Sequence, residues 1–231
     1  DANDNSGYTL AEFYGIMETG KAKDYFAVGD KIKIVPTTTV FADTSIIMQV
    51  AGFNHFKKKD SDDFAGVVFA MLGIMNAYYQ MNSQNTNVGG WASCGMRTWL
   101  NETIFAALPR QWQSMIKIVQ VRSSIGGTKA DISTSNDRLF LLSRAEVGFN
   151  VNDVPYKDEV DPDAENVTFA LFTDNNSRIK KTYNGTGSAS YWWLRSPEAS
   201  SSSSFADVYY HGISGYNVAS NSFGVAFGFC I

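Results

Sequence analysis

The segment Tyr191-Trp192-Trp193-Leu194-Arg195-Ser196-Pro197 is bulky and mostly apolar, and it predicts a strand at 191–194. Trp192 and Trp193 are adjacent on that strand, so they point to opposite faces of its sheet. One belongs in the core, and the other lies either in the core or beneath the loop that follows. Arg195 has a fork of donors that can satisfy several loop carbonyls, which predicts a buried brace. We assign Trp192, Trp193, Leu194 and Arg195 to the scaffold.

The tract that follows this segment has a different composition. Residues 199–231 contain no Lys, Arg, Glu, Gln, Met, Trp, Leu, Thr or Pro, and Ser, Tyr, Asn and Gly dominate them up to residue 223. Binding surfaces have this composition, because Tyr supplies contact area at low entropic cost while Ser, Gly and Asn supply adaptable hydrogen bonds. Composition alone leaves a solvent-exposed Ser-rich loop equally open.

Size and charge narrow the class of protein. A chain of 231 residues with 44% hydrophobic and 14% aromatic residues can bury a sizeable core in one large or two small domains. The net charge of −4 argues against nucleic acid as a partner. Lys57-Lys58-Lys59 is followed at once by acidic residues, so it reads as a solvated loop. The uncharged run 64–81 has a short apolar centre and predicts a buried strand, so we expect no membrane insertion.

Local patterns predict an α+β fold with mainly antiparallel pairing. Thr9 and Glu12 fit a capping box at the start of a helix that ends near Glu18. Ser93 is predicted to cap a helix that ends near Pro109, and Ser143 with Glu146 to cap another short helix. A further helix is expected at 110–115 and a loop at 126–137. Strands are predicted at 31–35, 45–53, 67–72, 116–121 and 138–142.

Few residues point to catalysis or metal binding. His55 and His211 belong to no zinc-ligand pattern, and no G-x-S-x-G or nucleotide-binding motif is present. Cys94 and Cys230 are interpreted as buried small hydrophobes, although pairing stays open. The alternating acids of 158–165 are interpreted as a solvated loop, since the EF-hand pattern is missing. We expect no enzyme activity, no cofactor and no metal.

Several ordered motifs nevertheless resemble a family of bacterial and phage proteins. Members carry a W-L-R-S-P motif and end in G-V-R-P-A-F or similar; here the closing segment lacks Arg-Pro. The residues that carry the resemblance are Gly89-Gly90-Trp91, Met96-Arg97, Trp99-Leu100-Asn101, Ala107-Leu108-Pro109, Leu139 to Ser143, Glu146-Val147, Trp193 to Pro197 and Gly224-Val225.

This family is similar to the C-type-lectin-like proteins that diversity-generating retroelements rewrite. The resemblance implies a C-type-lectin-like fold over residues 29–231, after an N-terminal helical lead-in at 1–28, with a variable region at about 198–223. Error-prone copying at adenines in an Asn-type codon never yields Lys, Glu, Gln, Met or Trp, and none of the five occurs after Glu198. The rewritten positions would form a replaceable surface on a fixed core, since exposed sites tolerate change better than packed ones.

The resulting prediction is a hypervariable receptor-binding protein, displayed on a virion or cell surface. Its partner would be a protein or glycan on a cell, and some relatives are homo-oligomers. The predicted ligand-binding residues are Ser200, Ser201, Ser202, Ser203, Ser204, Ala206, Asp207, Tyr209, Tyr210, His211, Ile213, Ser214, Tyr216, Asn217, Ser220, Asn221, Ser222 and Phe223. Further scaffold residues are Phe205, Val208, Gly212, Ala219, Gly224 and Val225. The alternatives are a fixed adhesion or structural domain and a formylglycine-generating type of oxidase.

Overall fold

The computed structural model describes residues 7–37 and 45–231; residues 1–6 of the predicted lead-in lie outside this part. It is a mixed α+β structure with mostly antiparallel sheets, as predicted. The strands are β1 (Lys31–Ile34), β2 (Ile46–Phe53), β3 (Val67–Met71), β4 (Tyr79–Gln80), β5 (Val119–Ser124), β6 (Ile132–Asp137), β7 (Phe140–Leu141), β8 (Trp192–Pro197), β9 (Ser204–Val208), β10 (Ser214–Val218), β11 (Ser222–Phe223) and β12 (Phe227–Cys230). The helices are α1 (Leu10–Glu18), α2 (Gly90–Ser93), α3 (Gly95–Trp99), α4 (Phe105–Ala107), α5 (Arg110–Met115) and α6 (Asn175–Arg178), with a π-helical segment, Leu100–Ile104, between α3 and α4.

The largest sheet places the last strand of the chain at its interior. Its order is β1-β2-β3-β12-β7, and every neighbouring pair is antiparallel. β12 consists of Phe227-Gly228-Phe229-Cys230, all buried, which suits a strand with partners on both sides. The chain after the Ser/Tyr tract therefore returns to the core.

A second sheet, in the order β10-β9-β8, holds the tract itself. Trp192 pairs with Val208 and Trp193 with Asp207, but the next pair is Pro197 with Phe205. The extra residues on β8 form a bulge, which turns Arg195 away from the ladder. Its backbone N–H instead donates to the carbonyl of Leu142 at 2.9 Å, which ties this sheet to the segment after β7.

The first helix packs on the same core as the sheets. Thr9 and Glu12 form the predicted capping box, and α1 ends at Glu18 as expected. Phe13 on its inner face lies 5.5 Å from the ring of Phe26 and 5.8 Å from that of Trp112. α1 is therefore held by aromatic packing. Within the described residues, no helix is long and apolar enough to cross a membrane.

The predicted helix cap at Ser93 is wrong. The helical region begins earlier, at Gly90, and Ser93 is the last residue of α2. Cys94 has an extended backbone conformation and separates α2 from α3 without a side-chain cap. Position 90 requires glycine, because its φ is +59° and a Cβ there would lie 1.8 Å from the carbonyl oxygen of Ser124.

The predicted loop at 126–137 is confirmed only up to residue 131, because β6 forms over Ile132–Asp137 and pairs with β5 along its whole length. β6 has the sequence Ile-Ser-Thr-Ser-Asn-Asp, which lacks the apolar alternation that marks a half-buried strand. Two other strands differ in extent. The strand predicted at 116–121 lies at Val119–Ser124, and the one predicted at 138–142 is reduced to Phe140–Leu141.

The helix predicted after Ser143 does not form, although the hydrogen bonds of its capping box do. The Ser143 N–H donates to the Glu146 carboxylate at 2.8 Å, and the Glu146 N–H donates to Ser143 Oγ at 3.2 Å. The chain then turns at Gly148, whose φ is +83°. Glu146 points into the core, where its carboxylate also binds Arg195.

Candidate binding surface

The Ser/Tyr tract is divided between a buried strand and accessible segments at both ends of that strand. β9 lies between β8 and β10, and all five of its residues are buried. The predicted contacts Ser204, Ala206 and Asp207 lie on this strand, so they are corrected to buried positions that a ligand does not reach in this structure. The remaining predicted contacts are partly or fully exposed: Ser200, Ser201, Ser202, Ser203, Tyr209, Tyr210, His211, Ile213, Ser214, Tyr216, Asn217, Ser220, Asn221, Ser222 and Phe223.

The predicted scaffold residues lie in the interior and support the accessible segments of the tract. All of them are buried: Trp192, Trp193, Leu194, Arg195, Phe205, Val208, Gly212, Ala219, Gly224 and Val225. Both tryptophans are fully covered, and their indole N–H groups donate to the carbonyls of Arg178 and Tyr79. The tract thus alternates between buried and accessible positions on one framework.

Residues outside the tract hold its loops through backbone hydrogen bonds. The side-chain amide of Asn87 donates to the carbonyls of Ser201 and Ser204, each at 2.7 Å, and its N–H donates to the carbonyl of Ser202. Asn85 accepts from the N–H and hydroxyl of Ser220. The Asn87 bonds use only backbone atoms of the serine loop at 200–204, so they do not depend on its side chains. Neither Asn85 nor Asn87 was among the predicted site residues.

Five rings form a continuous group near the turn between β9 and β10, which we call the aromatic surface: Tyr191, Tyr209, Tyr210, His211 and Phe223. Tyr191 is its centre, with ring centroids 4.8 Å from Tyr209, 5.8 Å from Tyr210 and 5.1 Å from Phe223. His211 lies 4.7 Å from Tyr210. Tyr191 precedes the tract and was not among the predicted contacts, because sequence alone could not place it against three separated segments.

Tyr216 has a different environment from Tyr209 and Tyr210. It pairs with Ala206 across the ladder, so its side chain lies on the opposite face of the sheet from Asp207. Its hydroxyl lies 2.7 Å from that of Tyr156, and the guanidinium of Arg144 lies 4.6 Å from its ring centre. Burial and the Tyr156 hydroxyl raise the pKa of Tyr216. Half-buried and held in this way, Tyr216 is partly structural.

Asp207 lies beneath the aromatic surface with one oxygen unused. Its Oδ2 accepts from the side-chain amide of Asn217 at 2.6 Å, whereas Oδ1 has no hydrogen-bond partner in the described part of the chain. A Cβ added to Gly215 would lie 2.5 Å from this Oδ1 and 2.0 Å from Cε1 of Tyr209, so the Tyr209 ring packs beside the carboxylate. Burial raises the pKa of Asp207 to about 6, against the bond from Asn217 and the charge of Arg144.

A buried ionic network lies behind the bulge of β8, with Arg195 at its centre. The guanidinium binds Glu146 through two hydrogen bonds, at 2.5 Å and 2.6 Å. It also donates to the carbonyls of Arg122, Leu141 and Glu159 at 2.9–3.0 Å. Arg195 is therefore the predicted brace: it joins segments that are far apart in the sequence.

The carboxylates of this network differ in protonation. Burial alone would raise the pKa of Glu146, but Arg195 and His55 outweigh it and hold the pKa at about 2. Burial raises the pKa of Glu159 to about 7, although Arg195, Ser196 and the N–H of Ser124 oppose the change. His55 lies in the interior, with Nε2 at 3.1 Å from Glu146. These groups are covered by protein, so their geometry serves the framework.

Other candidate chemistry finds little support in the geometry. Cys94 and Cys230 are buried and unpaired, and burial raises the pKa of Cys94 to about 12 and that of Cys230 well above its usual value. The reactive thiolate is therefore disfavoured at both. Among residues 7–37 and 45–231, no three His, Cys, Asp or Glu side chains lie close enough to hold a metal ion.

Comparison with known proteins gives one family. No curated protein matches this chain, and neither does any solved structure. A family model described as a domain of unknown function, DUF6273, matches residues 65–231. The matched region begins just before β3 and includes the buried ionic network and the whole Ser/Tyr tract. The chain therefore belongs to the DUF6273 family.

Proposed function

We propose that this protein is a non-enzymatic ligand-binding protein of C-type-lectin-like fold whose C-terminal tract is diversified by a retroelement. The observation that carries the proposal is the separation within residues 198–223 between a buried framework and an accessible set of side chains. A protein whose surface is rewritten while its fold is kept needs this separation, since core positions tolerate few substitutions.

The way the tract is held supports the same proposal. Asn87 binds the carbonyl groups of Ser201, Ser202 and Ser204, and no side chain of the serine loop takes part in those bonds. A loop anchored through its backbone can change its side chains without losing its anchor. The cost of such changes then depends mainly on exposure, and most surface substitutions alter stability by less than about 0.5 kcal/mol.

The composition of the accessible positions in the tract suits binding of a macromolecular ligand. Tyr209 and Tyr210 stand beside Tyr191 as aromatic anchors, Phe223 contacts the same ring, and other accessible positions of the tract carry serine and asparagine. Tyrosine anchors with a rim of adaptable polar groups are the usual means of binding a macromolecule at an accessible surface. We propose a protein or glycan ligand on a cell surface, with display on a virion or cell.

Comparison of the gene among isolates tests the proposal. We expect amino-acid differences to concentrate in residues 198–223 at the accessible positions, with Trp192 to Pro197 and Gly224 to Val225 unchanged. Nearby DNA should hold a reverse-transcriptase gene and a near-copy of the 3′ end that differs at adenines. Differences spread evenly along the chain, without such a copy, would instead favour a fixed adhesion or structural domain.

A further inference from the structure

We infer that the aromatic surface binds a partner protein through a positively charged side chain, a lysine ammonium or an arginine guanidinium. The inference rests on the proposed binding function, and it adds the chemical class of the group that is bound. Three features support it: the sign of charge in the tract, the arrangement of the rings, and the position of the Asp207 carboxylate beside Tyr209.

The first feature is the charge of the tract. Residues 199–231 contain no lysine or arginine, and Asp207 is their one acidic side chain. Arg144 is the cation whose charge acts on Asp207, but it is bonded to Asn150 and to the hydroxyl of Ser214, and its Nη1 has no hydrogen-bond partner among the described residues. Arg144 forms no ion pair with Asp207 within the described residues. Asp207 is therefore a buried carboxylate, beside Tyr209, that no cation of the described residues neutralises by direct contact.

The second feature is the group of aromatic rings that contains Tyr209, the ring beside that carboxylate. Tyr191, Tyr209, Tyr210 and Phe223 lie within 5.8 Å of one another through Tyr191, and Tyr210 is 53% exposed. Clusters of ring faces attract ammonium and guanidinium groups, because the face of each ring carries partial negative charge. A partner's lysine or arginine can stack here without displacing any buried residue.

The third feature is Asp207 itself. Asp207 is fully buried, so it acts on a bound cation through its charge and not through a direct hydrogen bond. Its Oδ1 has no hydrogen-bond partner among the described residues, and the Tyr209 ring packs directly beside it. A cation on the outer side of that ring therefore meets the ring face and, behind it, a carboxylate shielded from water. Charges interact more strongly in such an environment than at an open surface.

Matched small probes test this inference on the full chain. The probes are N-acetyl-arginine amide and N-acetyl-citrulline amide, which have nearly the same shape and differ in charge. We expect the arginine amide to shift the NMR signals of Tyr209 and Tyr210 saturably at low salt, with an affinity at least about tenfold higher than that of the citrulline amide. Lysine amide should behave as arginine amide does, and its acetylated form as citrulline amide does.

Variants assign the effect to the two features. Asp207→Asn keeps the shape of the side chain and should weaken arginine binding about tenfold, whereas Asp131→Asn removes the same charge from an exposed site elsewhere and should have no effect. Tyr210→Leu, at an exposed position, should also weaken binding. Equal affinity for the arginine and citrulline amides would overturn the inference, and so would an unchanged affinity in folded Asp207→Asn.

Failure of this inference is distinguishable from failure of the proposed function. If isolates differ only at accessible positions of the tract but the arginine amide does not bind, the binding function stands and the cation is excluded. If the cation binds but the tract does not vary among isolates, the site is fixed and diversification is excluded.

Discussion

Among single residues, Arg195 stands out because its side chain joins segments that are far apart in the sequence. It joins β8 to the carbonyls of Arg122, Leu141 and Glu159 and neutralises Glu146, and neither partner of that ion pair is exposed. Removing one partner of a buried ion pair leaves an uncompensated charge. The network is therefore best understood as a device that is costly to break.

We predict that Arg195→Met lowers the free energy of unfolding by about 3–5 kcal/mol, measured by urea denaturation at pH 7. The double variant Arg195→Met with Glu146→Met should recover part of this loss, because it removes both charges. Lys23→Met, which breaks an exposed ion pair with Glu165, should cost less than about 1 kcal/mol. A cost below about 1 kcal/mol for Arg195→Met would show that the network is dispensable.

Lys180 is a second buried charge, and it predicts a pH dependence of stability. Its ammonium donates to the carbonyls of Met71 and Leu72 and lies 5.3 Å from the centre of the Trp192 ring. Burial nevertheless lowers its pKa to about 7. The unfolded chain, in which the pKa is near 10.5, therefore binds more protons between these two values. Stability must rise with pH across that window.

The expected rise is up to about 1.4 kcal/mol per pH unit above pH 7. Urea denaturation at pH 7, 8 and 9 measures it, and Lys180→Met should flatten the dependence. Lys129→Met removes an exposed lysine and should leave the slope as in the wild type. Near pH 9 the two buried cysteines oppose this rise, because their pKa values are higher in the folded than in the unfolded chain. The result that would show Lys180 to be charged in the folded state is therefore an unchanged slope in Lys180→Met.

At the scale of elements, the turn between β9 and β10 carries three of the five rings of the aromatic surface, Tyr209, Tyr210 and His211. Gly212 closes this turn with a φ of +85°, and a Cβ there would lie 1.7 Å from the carbonyl oxygen of Asn175. Gly29 has a similar φ of +95°, but nothing lies within 4 Å of its added Cβ. The two glycines separate the cost of backbone conformation from the cost of a steric clash.

We predict that Gly29→Ala costs roughly 1–2 kcal/mol, the usual penalty for a left-handed conformation. Gly212→Ala should cost at least about 2 kcal/mol more, because α6 or the hairpin must move to make room. Thermal unfolding of both variants gives the comparison. Equal costs at the two positions would mean that the Asn175 backbone yields easily.

Most elements could be predicted where apolar residues recur with the period of a strand or helix. β2, β3 and α5 follow such patterns, and the Thr9 cap placed α1 correctly. β6 was missed because its serines and Asn136 hide the alternation, and its order comes from pairing with β5. No helix follows Ser143 although its capping bonds form, and Glu146 is also held by Arg195, a contact over 49 residues.

Composition predicted where the candidate site lies in the sequence. The fold then separated its buried residues from its accessible ones. Composition marked residues 199–223 correctly as unusual, but it could not separate Ala206 and Asp207, which are buried, from Tyr209 and Tyr210, which are accessible. Nor could it bring Tyr191 to the centre of the aromatic surface. Such distinctions depend on strand register, where a shift of one residue exchanges the two faces.

For the molecule as a whole, the same distinction predicts which positions can be rewritten. Ser202 is exposed on the loop between β8 and β9, whereas Ala206 is fully buried on β9 four residues later. We predict that Ser202→Tyr changes the free energy of unfolding by less than about 0.5 kcal/mol. Ala206→Tyr should lower the free energy of unfolding by roughly 3 kcal/mol or more, because the buried site has no space for the ring. Both changes introduce the same side chain.

A library in which every position of 199–223 is varied, selected only for folding and then sequenced, extends this test. The selected chains should be diverse at Ser200, Ser202, Tyr210 and Ile213, and restricted at buried positions such as Ala206. The reason is physical: overpacking a closed core is costly, whereas a side chain in solvent displaces nothing. If the buried and exposed positions varied equally after selection, the tract would not be a surface carried by a fixed framework.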